Sequence, residues 1–418
     1  MRILLVVVYY PPSTTSAANM MRDLALELFR CGHRVTVVTP SDSIEDAFCV
    51  SEEDSVTVVR VKTSGLKSAT RILRLWRESR LSAGIWMKAQ AWFRKNPSDL
   101  IVFYSPTIFF GELISRLKAL WGCPSYLVHR DIFPQWAVDA GVLRAGGILH
   151  RFLRHEELKQ YAAADIIGVE APGNLRYFDY GRQGSNFQAE VLYNWVGATT
   201  VPTGASKWRS KLGLDGKVVF VYGGNIGVAQ DMDNILRLAS SLRDRDDVFF
   251  LLIGEGSETV RLNLDIDRLG LTNIKILAAM AQTEYLECLA EFDVGVISLN
   301  RNFRSNNFTG KLLGYVSCGK PVLASVNPGN DLIEFLHRAD AGIACANGDD
   351  CGLRSATLLL ATNPEVRKRM GMNAHALAST TFSVQTIAEQ IISHFCQRER
   401  QQPNARAQSA HGATSGVH

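Results

Sequence analysis

"YGGNIGVAQDMDN", residues 222–234, is a glycine-rich turn set between the apolar run "KVVFV" and the helical pattern "ILRLASSL". Gly223 and Gly224 let the backbone turn sharply and come close to a ligand. A helix starting near Asp231 would present free N–H groups and the positive end of its dipole. This arrangement suits a diphosphate, although a Gly-Gly turn after a strand can also be a purely structural loop.

The same arrangement occurs a second time in the C-terminal half. "GEGSE", residues 254–258, follows the apolar run "VFFLLI". Two glycine turns in one domain favour a ligand-binding role over a purely structural one.

Short apolar or β-branched runs alternate with helical segments along most of the chain, which predicts parallel sheets with crossover helices. One set extends from "RILLVVVYY" to "EVLYN" and a second from "KVVFVYGG" to "AGIACANG". "NWVGATTVPTGASKWRSKLGLDG" lies between them and has the composition of an interdomain linker. We therefore predict an α/β protein with two doubly wound, Rossmann-like domains facing a cleft, residues 1–198 and 199–379. Residues 398–418 have almost no large apolar residue, which predicts disorder.

Composition excludes several protein classes. The chain has 418 residues, 46% of them apolar and 21% charged, as in ordinary globular proteins. No run reaches the ~18 apolar residues of a membrane-spanning helix. The eight cysteines form no C-x-x-C pair and indicate reduced thiols. The net charge of +4 does not point to a nucleic-acid partner, and the oligomeric state stays open.

One basic stretch begins at Gly65 and ends at Asn96. It contains a single acid, Glu78, and three tryptophans at positions 76, 86 and 92. Its basic residues are Lys67, Arg71, Arg74, Arg77, Arg80, Lys88, Arg94 and Lys95. Such a stretch can lie on an anionic membrane surface. It can equally be a solvated helix face with its tryptophans in the core.

Taken together, these motifs resemble glycosyltransferase family 4, retaining enzymes with the GT-B fold that use nucleotide-activated sugars. The resemblance extends to about residue 397. Its N-terminal motifs are "YYPPSTTSAANMMRDLALELFRCGHRVTVVT", "VHRDIFPQWAVDAGVL", "ADIIGVEAPGN" and "LYNWV". Its C-terminal motifs are the two glycine turns, "TNIKILAAMAQTEYLECLAEFDVGVISL" and "TGKLLGYVSCGKPVLASVNPGNDLIE". "GNIGVAQ" and "RDIFP" are most similar to bacterial surface-polysaccharide enzymes, including transferases of N-acetylfucosamine and related amino sugars.

The resemblance implies roles for the domains and for individual residues. Residues 1–198 would bind the acceptor, residues 199–379 the nucleotide sugar, and a helix at 380–397 would return to the N-terminal domain. The implied catalytic residues are Lys311, which matches a family lysine, and the group His129, Arg130 and Asp131 at the end of an N-terminal strand. Asp131 could instead cap the turn that follows it. The implied nucleotide-sugar contacts are Gly223, Gly224, Asn225, Gly227, Gln230, Gly254, Glu255, Met280, Asn306, Thr309, Lys311 and Leu312, and the implied acceptor contacts are Thr14, Thr15 and Ser16.

Four positions depart from the family pattern. Asn225 and Gln230 stand where the family commonly has an arginine and a lysine that hold the diphosphate. Asn306 and Gly314 stand where it has two glutamates around the sugar and the ribose. Lys311 therefore remains the one cation that the resemblance aligns with the leaving phosphate.

The implied chemistry needs few protein groups. Negative charge develops on the leaving oxygen, and preorganised donors stabilise it; Lys311, the amides of residues 224–227 and helix N-termini are the candidates. The resemblance implies attack on the same face of the sugar, so the carboxylate pair of a glycosidase is not needed. "DMD", residues 231–233, opens one helix and "DID", residues 265–267, lies inside another, so we expect no catalytic metal and no other cofactor.

Two other functions stay open at this point. A nucleotide-sugar epimerase shares the GT-B architecture, and a non-catalytic nucleotide-sugar-binding protein would be compatible with the four departures. A dinucleotide-dependent oxidoreductase is disfavoured, because "YYPPSTTSA" follows the first strand in place of G-x-G-x-x-G. We expect a transferase that acts on a lipid-linked saccharide, in the cytoplasm and peripheral to the inner face of the plasma membrane.

Overall fold

The computed structural model describes residues 1–63, 65, 71–139, 141–179, 187–197, 207–302 and 308–401. The strands are β1 Arg2–Val6, β2 Arg34–Ser41, β3 Phe48–Glu53, β4 Val56–Lys62, β5 Leu100–Tyr104, β6 Ser125–His129, β7 Ile166–Val169, β8 Ala189–Val191, β9 Val218–Gly223, β10 Val248–Ile253, β11 Ile274–Leu277, β12 Val294–Ser298, β13 Val322–Val326 and β14 Gly342–Ala346. The α-helices are α1 Ser16–Arg30, α2 Arg71–Ser79, α3 Leu81–Lys95, α4 Gly111–Trp121, α5 Gln135–Asp139, α6 Ile148–Ala163, α7 Arg176–Asp179, α8 Trp208–Leu212, α9 Met232–Ser241, α10 Thr259–Leu269, α11 Gln282–Glu291, α12 Gly310–Ser317, α13 Asp331–Arg338, α14 Asp350–Thr362, α15 Pro364–Ser379 and α16 Val384–Gln401. None of the helices in these ranges is both long and apolar enough to cross a membrane.

The chain forms two compact units. Unit 1 contains Met1–Asp131, Arg151–Gly168 and helix α16, and unit 2 contains Ile132–His150 and Val169–Ser383. The predicted domain boundaries at residues 198 and 379 stay predictions, and residues 198–206 lie outside the described ranges.

The sheet of unit 1 has the order β3-β4-β2-β1-β5-β6-β7. Its central strand β1 pairs in parallel with β2 and β5, so that Leu4 lies between Thr36 and Ile101. Residues 3–6 are completely buried, as expected for a parallel strand with helices on both faces.

An antiparallel hairpin extends this predicted parallel sheet at one edge. Strand β3 pairs with β4 in antiparallel register, with Glu53 opposite Val56. The two residues between them, Asp54 and Ser55, have φ values of 51° and 69°. Two successive positive φ values are what a tight hairpin turn requires, which accounts for this departure from the alternating pattern.

The sheet of unit 2 has the order β11-β10-β9-β12-β13-β14, and all its pairs are parallel. Numbered along the chain within this sheet, the strands have the doubly wound order 3-2-1-4-5-6, and the order of addition changes side between β9 and β12. Val219 and Val221 pack into one core cluster and Phe220 and Tyr222 into another, so β9 is covered on both faces. The predicted class, two doubly wound α/β domains, is confirmed. Ligands of such sheets bind where the order reverses, at the carboxyl ends of β9 and β12.

The predicted linker contains a short helix, α8. The Glu291 carboxylate accepts hydrogen bonds from the N–H groups of Lys207, Trp208 and Arg209, at 3.0, 2.8 and 3.1 Å. Trp208 is 5% exposed and belongs to the core of unit 2. The prediction missed this helix because the carboxylate that caps it lies 82 to 84 residues away in sequence.

Candidate functional site

The two predicted glycine turns lie against each other at the carboxyl ends of β9 and β10. The Gly224 N–H donates to the Ile253 carbonyl at 2.9 Å, and the Ile226 N–H donates to the Glu255 carbonyl at 2.9 Å. A Cβ atom at Gly254 would lie 1.9 Å from the Gly224 oxygen. Only a residue without a side chain allows two backbones to approach this closely, which explains why both turns are glycine-rich.

Two of the four amides between residues 224 and 227 are used in holding the turns together. The other two, the N–H groups of Asn225 and Gly227, have no hydrogen-bond partner in the part of the chain that the structure describes. The glycine turn therefore offers donors to an anion at these two positions.

Asn225 and Gln230, which replace the expected arginine and lysine, bond to each other. The Asn225 Nδ2 atom donates to Gln230 Oε1 at 2.9 Å across the turn. A Cβ atom at Gly227 would lie only 2.7 Å from Asn225 Nδ2. The two amides therefore brace the turn without adding charge.

Lys311 brings a cation to this turn. Its side chain is half-buried in the first turn of α12, and a Cβ atom at Gly224 would lie 3.2 Å from Lys311 Cε. The ammonium lies 4.9 Å from the centre of the Tyr222 ring. Burial lowers the pKa of Lys311 to about 8. No carboxylate forms an ion pair with Lys311 within the described ranges, so its charge is available to an anionic ligand.

The N-terminus of α12 adds further polar groups beside Lys311. Thr309 is the N-cap residue, but its side chain makes no capping hydrogen bond. Its hydroxyl is buried and has no hydrogen-bond partner among the described residues. Leu312, 1% exposed, anchors the helix in the core. A buried hydroxyl without a partner at a helix N-terminus is able to form a hydrogen bond with a ligand atom.

Two tyrosines that the sequence analysis did not identify hold the start of the glycine turn at Gly223. The Tyr315 hydroxyl accepts from the Gly223 N–H at 3.3 Å and donates to the Val296 carbonyl at 2.8 Å. The Tyr285 hydroxyl donates to the Tyr315 hydroxyl. A Cβ atom at Gly223 would lie 2.1 Å from the Tyr285 hydroxyl. Their positions on α11 and α12 became visible only in three dimensions.

The remaining predicted contacts of unit 2 have different environments. Glu255 is exposed, and Met280 is partly buried against the core. Gly314 has ordinary contacts at its missing Cβ, 3.8 Å from Leu289 Cδ2. Asn306 lies outside the described residues.

The predicted group in unit 1 lies at the end of β6. His129 is 3% exposed, and its Nε2 atom lies 3.0 Å from the Tyr161 hydroxyl. Arg130 donates to the carbonyl oxygens of His129 and Gly168, at 2.9 and 3.3 Å. Asp131 is exposed. Of the three, His129 is thus the one held in a buried polar network.

The predicted acceptor residues lie at the start of α1. Thr15 is its N-cap, and its hydroxyl accepts from the Ala18 N–H at 3.3 Å. Thr14 and Ser16 are exposed. A threonine directly before an apolar helical pattern is a capping signal, so this structural role could have been predicted.

A cavity of about 300 Å³ lies beside these residues, within unit 1. It is lined by the carboxyl ends of β1, β2 and β4 and includes Ser13 and Asp42. Arg60 also lines it, but its guanidinium is bound by Glu53 and by the Pro11 carbonyl oxygen.

Aspartates of both D-x-D sequences bond to other side chains of the protein. The Asp231 carboxylate accepts from Asn347 Nδ2 at 2.8 Å, while Asp233 and Asp265 both pair with Arg261. Within the described ranges, no three His, Cys, Asp or Glu side chains are grouped so that they could hold a metal ion.

The part of the chain that contains this site is similar to known proteins. Residues 205–376, which include both glycine turns and Lys311, match the family described as "Glycosyl transferases group 1". A relative of this chain from Pseudomonas aeruginosa, named as a glycosyltransferase, WbjE, is 26% identical over 54% of this chain and 57% of its own length. A second, from Escherichia coli strain K12, carries the name of a colanic acid biosynthesis glycosyl transferase, WcaI, and is 21% identical over 81% of this chain and 87% of its own.

Solved structures share the architecture of nearly the whole chain. Sucrose-phosphate synthase from Thermosynechococcus elongatus has a TM-score of 0.71 at 15% identity, over 96% of this chain and 100% of that one. HepE from Anabaena, in complex with UDP-glucose, has a TM-score of 0.67 at 18% identity, over 95% of this chain and 100% of that one. The fold of the chain is therefore that of GT-B glycosyltransferases.

Proposed function

We propose that the protein is a retaining glycosyltransferase of family 4, which moves a hexosyl or amino-sugar residue from a nucleoside diphosphate sugar to a lipid-linked glycan. The observation that carries this proposal is the Lys311 ammonium, which lies against the glycine turn with no carboxylate paired to it among the described residues. A desolvated cation next to free backbone donors suits a diphosphate better than any neutral ligand.

These groups fit the charge that forms in the reaction. The bond between the sugar C1 atom and the diphosphate oxygen breaks, and the leaving oxygen gains negative charge that Lys311 and the N–H groups of Asn225 and Gly227 would stabilise. The acceptor hydroxyl bonds to C1 on the same face and passes its proton to the departing phosphate. No paired carboxylates and no metal ion are needed for these steps.

The relatives support the choice of substrates. HepE binds UDP-glucose, and the name of WcaI places that protein in colanic acid biosynthesis. We infer a role in bacterial surface polysaccharide, O-antigen or capsule synthesis, with N-acetylfucosamine and related amino sugars as candidate donors. The cavity beside Ser13 in unit 1 would receive the saccharide of the acceptor.

Nucleotide release tests the proposal. Purified protein is incubated with each nucleotide sugar, with and without a lipid-linked saccharide, and free nucleotide is measured with and without EDTA. We expect release only with the acceptor, and full activity in EDTA. Release without an acceptor would favour the epimerase, and tight binding without turnover the non-catalytic protein. Activity killed by EDTA and restored by manganese would contradict the metal-independent mechanism.

We also propose that the stretch from Gly65 to Asn96 attaches the protein to the anionic inner face of the plasma membrane. Trp76 on α2 is 54% exposed, with the Arg80 guanidinium 5.0 Å from its ring centre. Arg74 pairs with Glu78, and Arg77 donates to the Gly65 carbonyl, so part of this charge is already bound within unit 1. Lys67 lies outside the described residues.

Vesicle cosedimentation tests this attachment. Each basic residue near an anionic surface contributes about 1 kcal/mol, so replacing Arg71, Arg74, Arg77 and Arg80 with glutamine should weaken binding strongly. A control with the same charge change replaces Arg243, Arg268, Arg338 and Arg369, all exposed in unit 2. Equal binding by both quadruple variants, or no binding by the parent protein, would show that the attachment lies elsewhere.

A further inference from the structure

The cavity of unit 1 carries an unbalanced negative charge. Of the described residues that line it, only Asp42 and Arg60 are charged at neutral pH. The Arg60 guanidinium is already bound by the Glu53 carboxylate at 3.0 Å and by the Pro11 carbonyl oxygen at 2.7 Å. Asp42 is exposed, and no Lys, Arg or His within the described ranges pairs with its carboxylate. A ligand in this cavity therefore meets one carboxylate and no available cation.

The backbone beside Asp42 leaves space for its carboxylate at the cavity wall. A Cβ atom at Gly65 would lie 2.7 Å from Asp42 Oδ2, so a side chain at this position would push the carboxylate away. The Gly65 carbonyl oxygen accepts a hydrogen bond from Arg77 on α2. The Thr63 N–H donates to the Ser41 carbonyl at 2.7 Å, which joins the chain on either side of this contact. The carboxylate thus occupies a space that only glycine at position 65 leaves open.

The remaining polar side chains of the cavity are uncharged hydroxyls. Tyr10 is 6% exposed, and its hydroxyl has no hydrogen-bond partner within the described ranges. Burial and the neighbouring Glu53 carboxylate raise the pKa of Tyr10 to about 12, so the hydroxyl keeps its proton. The Ser13 hydroxyl lies 3.2 Å from Thr15 Oγ1. Each hydroxyl can donate one hydrogen bond and accept two, so Tyr10 and Ser13 can both bond to a ligand.

This set of groups suits a sugar without negative charge. The two oxygens of a carboxylate only accept hydrogen bonds, so two neighbouring sugar hydroxyls can donate to Asp42. A phosphate or a carboxylate on the ligand would instead be repelled by Asp42, with no free cation to compensate. The cavity volume of about 300 Å³ is at the lower limit for ligand pockets, which suits the end of a saccharide better than a longer segment.

We propose that Asp42 is a specificity-determining residue, which makes the cavity of unit 1 bind the hydroxyl groups of an uncharged sugar and disfavour a sugar that carries a carboxylate or a phosphate. That this sugar is the end of the acceptor rests on the proposed function. The preference for an uncharged sugar does not, because it follows from the charges within unit 1.

An aspartate that is only a solvated surface residue makes a different prediction. Its replacement should leave the affinity for every saccharide unchanged. If Asp42 contacts the sugar, its replacement should change the ratio between the affinities for neutral and acidic sugars.

The experiment measures the binding of methyl glycosides to the nucleotide-free full chain by saturation-transfer difference NMR. The probes are the glycosides of glucose, galactose, mannose and N-acetylglucosamine. Each is compared with its uronic acid, in which a carboxylate replaces the CH₂OH group at C6. We expect at least one neutral glycoside to bind, and its uronic acid to bind at least about fivefold more weakly, as for two like charges close together at a hydrated site.

Three variants test whether Asp42 causes this preference. Asp42→Asn keeps the shape of the side chain without its charge, so the preference for the neutral glycoside should nearly vanish. In Asp42→Lys the order should reverse in favour of the uronic acid. Asp46→Asn is the matched control, because it removes another exposed carboxylate from the connection between β2 and β3 that is not among the residues lining the cavity. The control should keep the preference of the parent protein.

Two results would overturn the inference. One is the absence of binding by every neutral glycoside, and the other is a preference that is the same in the parent protein, Asp42→Asn and Asp42→Lys. Glycoside binding needs neither nucleotide nor turnover, so a failed transferase assay would not affect this result. Conversely, turnover of a lipid-linked acceptor without any Asp42-dependent preference would contradict the inference and leave the transferase proposal intact.

Discussion

The turns after β1 and after β9 each follow a central strand of their sheet, yet they are built in different ways. After β9 the turn is formed by glycine backbones in contact, and Asp231 at the N-cap position of α9 makes no side-chain capping bond. After β1 the turn contains prolines and hydroxyl residues, and the Thr15 side chain caps α1. The doubly wound order determines where a ligand can bind, and the residues of the turn determine which ligand.

The cations near the two turns differ in their protein partners. Arg60 in unit 1 is bound by the Glu53 carboxylate, which raises the pKa of Arg60, and it also donates to the Pro11 carbonyl at 2.7 Å. Lys311 in unit 2 has no carboxylate partner among the described residues, and its pKa is lowered by burial. Arg60 therefore holds the protein together, whereas Lys311 keeps its charge for a ligand.

Replacing Lys311 with alanine should have the largest effect on activity. If the ammonium stabilises the leaving phosphate, turnover should fall by about 10²- to 10³-fold, as for a lost oxyanion donor. The free energy of unfolding should not fall, because a desolvated cation without a partner does not stabilise the fold. Steady-state kinetics and urea unfolding measure the two effects. Lys275→Ala, at an exposed site on β11, is the control. Near-normal turnover in Lys311→Ala would show that the diphosphate is held elsewhere.

Replacing Gly254 with alanine should damage the glycine turn itself. The new Cβ would lie 1.9 Å from the Gly224 oxygen, at a φ of 154°. Overpacking and backbone strain together should lower the free energy of unfolding by about 3 kcal/mol or more. Gly270→Ala is the matched control, because its φ is 60° and nothing lies within 4 Å of its Cβ. The control should cost roughly 1–2 kcal/mol in urea unfolding. Equal losses in the two variants would mean that the turns are not in contact.

Replacing Arg60 with alanine should lower stability and leave nucleotide binding unchanged, the opposite of what we expect for Lys311→Ala. Glu53 and the Pro11 carbonyl would lose their partner, which should lower the free energy of unfolding by about 1–3 kcal/mol. Nucleotide binding should be unchanged, since Arg60 lies in unit 1. Urea unfolding and calorimetric titration with nucleotide test both parts. A stable variant with impaired turnover would instead assign Arg60 to the acceptor site.

The fold could largely be predicted from the sequence, and so could the two glycine turns of the candidate site. Buried parallel strands appear as continuous apolar runs, and contact between two backbones at a turn leaves only glycine, as at Gly224 and Gly254. Lys311 was found because a motif resemblance aligned it. Each of these signals is local in the sequence.

The features that the sequence could not reveal depend on distant partners. Glu291 caps α8 from more than 80 residues away, and Tyr315 reaches Gly223 across 92 residues. The bond between Asn225 and Gln230 spans only five residues, but it requires the exact path of the turn. The hairpin at Asp54 and Ser55 had only a weak local signal, because the polar pair precedes the β-branched strand β4 but follows β3, which has a single β-branched residue.

The smallest expected effect is the pH dependence of stability and nucleotide affinity. It distinguishes the two cations most directly. Arg60 stays charged throughout the accessible range, whereas burial lowers the pKa of Lys311 to about 8 in the folded protein, from the 10.5 of an unperturbed lysine. Between these two values the unfolded chain binds more protons than the folded one, so this residue makes stability rise with pH. Nucleotide binding needs the ammonium, so affinity should fall above pH 8, by up to about tenfold per pH unit.

The two measured quantities should therefore move in opposite directions as the pH rises from about 8 to 10.5. Calorimetric titration with UDP and thermal unfolding of the free protein, each recorded against pH, measure them. Other groups titrate in this window, so the informative quantity is the difference between the parent protein and Lys311→Ala, in which both slopes due to this residue vanish. Arg60→Ala should retain both slopes, although it is less stable at every pH. If affinity in the parent stays constant up to pH 10, the nucleotide is bound without the charge of Lys311, and the contrast between the two cations is wrong.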